Sequence, residues 1–380
     1  MTAEPIPFNR PYYVGTEAEH IKAAVRSGWI SSGGAYAQRC EEWLERRTRS
    51  RRALITTSCT AALEGAALLA GIGPEDEVIM PSYTFVTTAS AVAMRGARPV
   101  FVDIRPDTLN LDESLLEDAI TSKTRAILPI HYAGVGCEMK EITRVAGEHE
   151  LPVIEDAAQG LLASYCDQPL GSIGDFGALS FHETKNVTCG EGGALLVNQE
   201  ATVGKAEVVW EKGTNRAAFA RGEVERYTWM ELGSSFGLGE IAAAFLWAQL
   251  ERADEITELR RAIWARYHEA FADLEQRELV RRPIVPEGCV HNAHMYYLLL
   301  PDLAARSRFI AELGEHGILA VFHYVPLHSS PAGSRIGRVH GSMSNTDELS
   351  ARLVRLPLWA GMGDDQVARV IDAARNAANR

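Results

Sequence analysis

The chain has 380 residues, a formal net charge of −12 and a hydrophobic content of 46%. This composition is typical of a globular protein, and the acidic charge balance gives no reason to expect binding to nucleic acid or to an anionic membrane. No apolar stretch is long enough to span a bilayer, no signal peptide is apparent, and the six cysteines include no CxxC pair, so we expect a cytoplasmic protein without disulfides or a zinc site.

Short apolar segments alternate with amphipathic segments over the first 200 residues. The apolar segments predict strands at residues 53–56, 77–80, 99–102, 126–130, 152–155, 178–181 and 194–197. The amphipathic segments predict helices at residues 61–70, 87–95, 114–121 and 139–149. This alternation predicts an α/β fold with a mostly parallel sheet that is covered by helices on both faces.

The pattern changes after residue 200. Residues 238–274 predict long helical structure, residues 281–288 an irregular segment, residues 294–300 and 319–322 two strands, and residues 304–316 and 364–378 two helices. We therefore predict a large α/β domain at residues 1–250 and a smaller C-terminal α+β domain at residues 251–380.

Residues with reactive side chains follow two of the predicted strands. Asp156 and Gln159 come at the carboxyl end of the strand at 152–155, which is the edge where open α/β sheets bind ligands. Lys185 follows the strand at 178–181 and precedes a glycine-rich stretch that lets backbone approach a ligand. A lysine in such a cleft has a lowered pKa and forms Schiff bases. The ordinary alternatives are a helix N-cap for Asp156 and a solvated surface position for Lys185.

Two other strand ends are consistent with a flat, phosphorylated ligand. Residues 57–62 lead from a strand into a helix and leave first-turn amides free for a phosphate, although a simple Ser/Thr cap is the alternative. Phe85 follows the strand at 77–80 and is placed either to stack on a ligand ring or to pack in the core. Two histidine pairs, at 291/294 and 323/328, lack a carboxylate or cysteine set that would complete a metal site, so no metal is expected.

Together these segments resemble the DegT/DnrJ/EryC1/StrS sugar aminotransferases, a branch of the fold-type I enzymes that depend on pyridoxal 5'-phosphate (PLP). The resemblance covers nearly the whole chain and is carried by residues 6–9, 81–85, 153–159, 180–186, 191–193 and 321–328. Residues 180–186, 211–216, 227–229 and 292–295 are most similar to the dTDP-4-amino-4,6-dideoxygalactose transaminases within that family.

The resemblance implies a role for individual residues. Lys185 corresponds to the Schiff-base lysine, and Asp156 to the acid that pairs with the pyridine nitrogen of PLP. The other cofactor-binding positions correspond to Gln159 near the phenolic oxygen, Phe85 on the ring, and Thr60, Ala61 and Ser180 at the phosphate. The segment near the sugar contains His323, Tyr324 and His328. Lys212 and Arg216 are expected to bind the diphosphate, with a solvated loop as an equal alternative.

The implied reaction transfers an amino group from L-glutamate to C4 of a nucleotide-linked sugar, converting dTDP-4-keto-6-deoxy-D-glucose to a 4-amino-4,6-dideoxy sugar of galacto configuration. The family also implies a homodimer with shared active sites and a pathway for deoxyaminosugars, such as those of antibiotics. Residues 236–240 lack the asparagine that many relatives give to the partner's cofactor phosphate, and Ser234 or Ser235 is a candidate replacement. The alternatives are a PLP-dependent or pyridoxamine phosphate (PMP)-dependent sugar dehydratase, in which histidine replaces the lysine, and a non-catalytic PLP-binding paralogue.

Overall fold

The computed structural model describes residues 4–380. Its strands are β1 Arg52–Thr56, β2 Glu77–Pro81, β3 Arg98–Val102, β4 Thr124–Ile127, β5 Ile154–Asp156, β6 Ser164–Tyr165, β7 Gln168–Pro169, β8 Phe176–Ser180, β9 Gly193–Val197, β10 Cys289–Val290, β11 Tyr296–Leu299, β12 Arg338–Val339 and β13 Leu353–Leu356.

The helices alternate with these strands in the first half of the chain and dominate the second half. They are α1 Glu17–Ser27, α2 Ala35–Thr48, α3 Cys59–Leu69, α4 Val86–Ala93, α5 Leu116–Ala119, α6 Met139–Glu148, α7 Val203–Trp210, α8 Arg216–Ala220, α9 Glu240–Glu251, α10 Ala253–Ala270, α11 Ala272–Gln276, α12 Leu303–Glu315, α13 Gly333–Ile336, α14 Ser344–Arg352 and α15 Asp364–Ala378. No helix within residues 4–380 is both long and apolar enough to cross a membrane.

The central sheet is mixed but mostly parallel, as predicted. Its two halves have the strand orders β1-β9-β8-β5 and β4-β2-β3-β12, and parallel bridges join residues 127 and 130 to residues 153 and 156 between them. Only β9 is antiparallel to its neighbours among these strands of the described chain. The carboxyl ends of β1, β2, β4, β5 and β8 therefore lie at one edge of the sheet.

The large sheet is buried by helices on both faces, because its strands are apolar on both sides. One core contains inward-facing residues of β1, β8 and β9 with α2, α6 and α9, and a second core packs α3 and α4 on the opposite face. These two cores explain why residues 53–56 and 194–197 appear as unbroken apolar runs in the sequence.

A separate core joins the C-terminal elements. It contains residues of α10, α12 and α15 with β11 and β13, together with Ile6 from the N-terminal segment. The predicted boundary at residue 250 falls beside the α9–α10 junction, although Ala253 and Ile256 of α10 still pack in the large core. Two domains with this boundary stay a prediction.

One predicted strand is wrong. Residues 319–322 contain only an isolated bridge, between Val321 and Arg355, instead of a regular strand. The segment instead lies beside the antiparallel pair formed by β11 and β13, and its residues line the cavity described below. Helices α1 and α2 were not predicted; the buried carboxylate of Glu240 holds the start of α2 by accepting hydrogen bonds from the backbone N–H groups of Tyr36 and Ala37 at 2.9 and 2.8 Å.

Candidate active site

A cavity of about 880 Å³ lies over the carboxyl edge of the sheet. Residues that follow β1, β2, β5 and β8 form its floor, and residues 319–324 and 355–358 from the C-terminal core form the opposite wall. The site is thus located where the topology of an open α/β sheet favours ligand binding.

Asp156 ends β5 and has only 5% of its surface exposed. Its Oδ2 accepts a hydrogen bond from Thr88 Oγ1 at 2.7 Å, and its Oδ1 accepts one from the Ala158 N–H at 3.1 Å. Residues 157–163 form turns and no helix, so Asp156 is not a helix N-cap. The two donors fix the orientation of a carboxylate that lines the cavity.

Lys185 lies beyond β8 in a turn. The backbone N–H of Lys185 closes this turn by donating a 2.9 Å hydrogen bond to the His182 carbonyl. The side chain lines the cavity and is not a solvated surface group. Burial lowers the pKa of the Lys185 amine, while the nearby Asp156 charge opposes that shift. A buried amine of this kind exists as the free base more readily than a surface lysine.

The start of α3 forms the next part of the floor. Ser58 caps the helix, because its Oγ accepts a hydrogen bond from the Ala61 N–H at 3.1 Å. The predicted cap is therefore present at Ser58, while Thr60 and Ser180 line the cavity nearby. The N–H of Ala61 is engaged by that cap, so Thr60 and Ser180 are the more available of the three predicted phosphate-binding positions.

Of the glycines after Lys185, Gly192 lines the cavity as expected, whereas Gly193 has a different role. A Cβ on Gly193 would lie 2.4 Å from the backbone of Ser58 and Cys59. Gly193 therefore makes room for β9 to begin directly against the start of α3, instead of making room for a ligand.

Phe85, Gln159 and Tyr324 surround the centre of the cavity. Gln159 accepts a hydrogen bond from the Ala133 N–H at 2.7 Å and donates one to the Tyr324 hydroxyl at 3.3 Å. The Phe85 ring is half-exposed, with its centroid 6.3 Å from that of Tyr324. A flat ring over Asp156 would therefore meet an aromatic face and an amide.

His323 and Tyr324 belong to a buried aromatic cluster. Their rings stack with centroids 3.5 Å apart, and His323 Nδ1 forms a 2.8 Å hydrogen bond with the hydroxyl of Tyr132. Tyr83 donates to the His323 carbonyl at 2.6 Å. Burial lowers the pKa of His323, so this histidine is neutral. Tyr132 follows the predicted strand at 126–130, and the strand-end rule that identified Asp156 could have identified it.

Three predicted substrate residues lie outside the cavity lining. His328 forms a 2.8 Å hydrogen bond with Ser82 Oγ and lies 3.3 Å from Asp347, so it holds the end of β2. Lys212 and Arg216 are exposed, and both contact Glu211, at 3.1 and 3.5 Å. A single chain therefore does not bring these three residues to the site.

Sequence reasoning missed at least three groups in the cavity wall, namely Arg260, His294 and Arg355. Arg260 of α10 is buried and donates to the carbonyls of Ala293 and His294 at 3.1 and 2.6 Å. His294 in turn forms a 3.1 Å hydrogen bond with Asn186, the neighbour of Lys185. Burial lowers the pKa of His294, and the charges of Lys185 and Arg260 act in the same direction. Residues 292–295 contributed to the resemblance, which gave no role for them.

Comparisons with known proteins agree with this geometry. The model of the DegT/DnrJ/EryC1/StrS aminotransferase family matches residues 12–375. The spore coat polysaccharide biosynthesis protein SpsC of Bacillus subtilis is 35% identical over 98% of this chain and 96% of its own length.

Solved structures with the same fold include two that carry chemical information. The putative sugar aminotransferase Spr1654 of Streptococcus pneumoniae, in its PMP form, has a TM-score of 0.89 and 28% identity over 98% of this chain and 99% of that chain. DesI, described in the presence of its TDP-sugar product, has a TM-score of 0.88 and 30% identity over 100% of this chain and 94% of that chain.

Proposed function

This chain belongs to the DegT/DnrJ/EryC1/StrS aminotransferase family, and from that membership we propose that it transfers an amino group from L-glutamate to C4 of a nucleotide-linked 4-keto-6-deoxy sugar. The proposed conversion is that of dTDP-4-keto-6-deoxy-D-glucose to dTDP-4-amino-4,6-dideoxygalactose. The observation that carries the proposal is the presence of Lys185 and the fixed carboxylate of Asp156 in one buried cavity.

Pyridoxal phosphate is the cofactor, and the cavity residues fit it. Thr60 and Ser180 offer hydroxyls beside the start of α3, where a phosphate is favoured by the helix terminus. Phe85 offers an aromatic face, and Gln159 an amide, to the ring. When bound, PLP supplies a carbonyl carbon that takes up the amino group and a ring that accepts the electron pair released when a Cα–H bond breaks.

Asp156 has the task of keeping the pyridine nitrogen protonated. Its carboxylate is buried and already oriented by Thr88 and Ala158, so it needs no rearrangement to accept a hydrogen bond from that nitrogen. A charged acceptor in a buried site stabilises the protonated partner more strongly than water does.

Lys185 has the task of moving a proton. Its free amine would accept the proton from Cα of glutamate and hold it at Nζ for donation to the cofactor. A water molecule would supply the keto oxygen of 2-oxoglutarate, while the nitrogen would stay on the cofactor. In the second half-reaction the nitrogen would pass to C4 of the sugar, Lys185 would carry the proton to C4, and the keto oxygen of the sugar would leave as water. The lowered pKa of Lys185 supports this role, because only the free amine accepts the proton.

The nucleotide-sugar substrate is supported by relatives rather than by a contact within this chain. DesI has a TDP-sugar product, and SpsC is named for polysaccharide biosynthesis. In this proposal His323 and Tyr324, which line the cavity, contact the sugar, whereas His328 acts through Ser82. We propose that the reaction belongs to deoxyaminosugar biosynthesis in the cytoplasm, with either an antibiotic sugar or a surface polysaccharide as the product's destination.

The active enzyme is a homodimer with shared active sites in this proposal. Residues 219–232 leave a series of large apolar side chains exposed, including Trp229 with 73% of its surface exposed; the series consists of Phe219, Val224, Tyr227, Trp229, Met230 and Leu232. A second copy of the chain would cover this surface and receive Lys212, Arg216 and Ser234 or Ser235 at its own site. Large exposed apolar patches of this kind are typical of interfaces.

A two-step spectroscopic experiment tests the proposal. Purified protein should be yellow, lose that absorbance with L-glutamate, and regain it with dTDP-4-keto-6-deoxyglucose, and the product mass should show an amine. Bleaching without recovery would reject the sugar. A deoxygenated product without an amine would favour the dehydratase alternative, and yellow protein that L-glutamate does not bleach would favour the non-catalytic PLP-binding one.

A further inference from the structure

We propose that Arg355 binds a carboxylate group of the amino donor. This inference rests on the proposed function, since it concerns the donor that delivers nitrogen to the same cavity. Arg355 lies on β13, in the cavity wall opposite the floor that carries Lys185.

The backbone of Arg355 is held from two sides. It is paired with Tyr297 of β11, and its N–H and carbonyl form hydrogen bonds of 2.7 and 3.2 Å with Val321. A side chain that starts from such a fixed backbone is oriented before the ligand arrives, which lowers the entropy cost of binding.

The guanidinium of Arg355 lies among aromatic rings rather than beside an acid. It is located over the Phe8 ring, 4.5 Å from the centroid, and Nη2 donates a long 3.3 Å hydrogen bond to the Phe322 carbonyl. Its buried Nε has no hydrogen-bond partner within residues 4–380. Arg355 is partly buried, and a shielded guanidinium N–H is normally hydrogen-bonded, so an anionic ligand in the cavity would satisfy the Nε donor.

The charges that line the cavity also favour an anionic ligand at this wall. Arg260 and Arg355 carry guanidinium groups, Lys185 adds a basic amine, and the acids of the lining are Asp156 and Glu191. The Asp156 carboxylate is directed to Thr88 and Ala158, and Glu191 lies 3.6 Å from His182, so neither neutralises Arg355.

The chemistry and location of Arg355 indicate a carboxylate rather than the cofactor phosphate. A planar guanidinium matches a carboxylate with two parallel hydrogen bonds. The hydroxyls proposed for the phosphate come from the large core, at Thr60 and Ser180, whereas Arg355 comes from the C-terminal core. Arg355 and Lys185 line the same cavity, so a donor whose carboxylate is bound at Arg355 lies in the same cavity as the reactive amine.

The first test compares wild type, Arg355→Leu and Arg352→Gln in the half-reaction with glutamate. Arg352 lies three residues earlier and contacts Glu348 and the Leu300 carbonyl outside the cavity, so it is the matched control. We expect Arg355→Leu to raise the apparent dissociation constant of glutamate by about 10- to 100-fold, the effect of losing a charged hydrogen bond. Arg352→Gln and the affinity for the nucleotide sugar should change less than threefold.

Two amides of glutamate identify the carboxylate, and a non-reacting ligand supplies a second readout. For one of the two amides, L-glutamine or L-isoglutamine, the loss of affinity on Arg355→Leu should be much smaller than for glutamate. That amide is the one that lacks the carboxylate recognised by Arg355. Calorimetry should show glutarate binding to wild type and weaker binding to Arg355→Leu.

The outcomes separate this inference from the proposed function. If glutamate does not bleach wild-type protein, the proposed donor is wrong. If it does, but Arg355→Leu affects all three donors equally, leaves glutamate affinity unchanged, or weakens the nucleotide sugar instead, the assignment of Arg355 is overturned. Absence of glutarate binding to wild type at millimolar concentration would also overturn it.

Discussion

The carboxyl edge of the sheet and the exposed segment at residues 211–232 differ in how firmly they hold their polar side chains. At the edge, Asp156 is 5% exposed and receives hydrogen bonds from Thr88 and Ala158. In the segment, Lys212 and Arg216 contact only the neighbouring acid Glu211 by ion pairing within the described chain, and Trp229 is open to solvent. In the proposed homodimer, one chain prepares the reaction centre, and the sugar-phosphate contacts come from the second chain.

The largest expected effect is at the prepared edge. Replacing Lys185 with alanine removes both the covalent link to PLP and the proton carrier, and the latter alone is worth about 10²–10⁴ in rate. We expect at least a 10³-fold lower rate of bleaching by glutamate in a stopped-flow measurement. Lys123→Ala, a surface lysine near Glu75, is the control and should leave the rate unchanged. A Lys185→Ala rate within tenfold of wild type would contradict the role of Lys185.

A charge placed in the exposed segment should disrupt the proposed dimer and leave the buried edge of the sheet intact. Trp229→Asp puts a carboxylate where a second copy is proposed to pack, so we expect dissociation to monomers in light scattering at micromolar concentration and a matching loss of turnover. Leu303→Asp, at the exposed start of α12, is the control for the added charge. A Trp229→Asp dimer with full turnover would exclude this surface from the interface.

A smaller effect is expected for Lys212 and Arg216. Single alanine substitutions should each raise the KM for the nucleotide sugar by about 3- to 30-fold, as expected for loss of a charge-assisted hydrogen bond to phosphate, and leave the glutamate half-reaction intact. Steady-state kinetics with each substrate varied would measure this. An unchanged KM in both variants would mean that the segment is simply a solvated loop.

The smallest effect concerns stability and pH. Burial lowers the pKa of Lys185 below its usual 10.5, so the unfolded chain binds more protons than the folded one between the two values. This buried amine therefore costs stability at neutral pH, and the cost falls as the pH rises toward 10.5. Cofactor-free Lys185→Met should melt at a higher temperature than cofactor-free wild type at pH 7, with the gap closing by pH 10. A gap that widens with pH would contradict the burial argument.

Much of the sheet and part of the site could be predicted, because they depend on local patterns. Unbroken apolar runs predict strands buried on both faces, and the residues just beyond their carboxyl ends, Asp156 and Lys185, lie in one cavity as topology requires. The sequence also allowed a helix N-cap role for Asp156 and a surface position for Lys185, and only the structure excludes these two alternatives.

The rest depends on contacts between distant parts of the chain. Arg355 and Arg260 look like any arginine on a C-terminal strand and helix, and only packing against residues 292–324 brings them to the cavity. Residues 319–322 have the composition of a strand but have only the backbone of Arg355 as a bridging partner. Glycine is required at position 193 because the backbone of Ser58, 135 positions earlier, packs against it. The local sequence gives no indication of this contact.

The N-terminal segment connects the two halves of the molecule a second time. Ile6 belongs to the C-terminal core and forms backbone hydrogen bonds with Gly317 and Leu319. The Phe8 ring lies under the guanidinium of Arg355. Tyr12 and Val14 then pack on the large core. Besides the covalent α9–α10 junction, the two cores are therefore joined a second time by residues 6–14, which are anchored at Ile6 by hydrogen bonds instead of by chain continuity. We expect a widening of the cavity to extend residues 9–14 as well as to bend the α9–α10 junction.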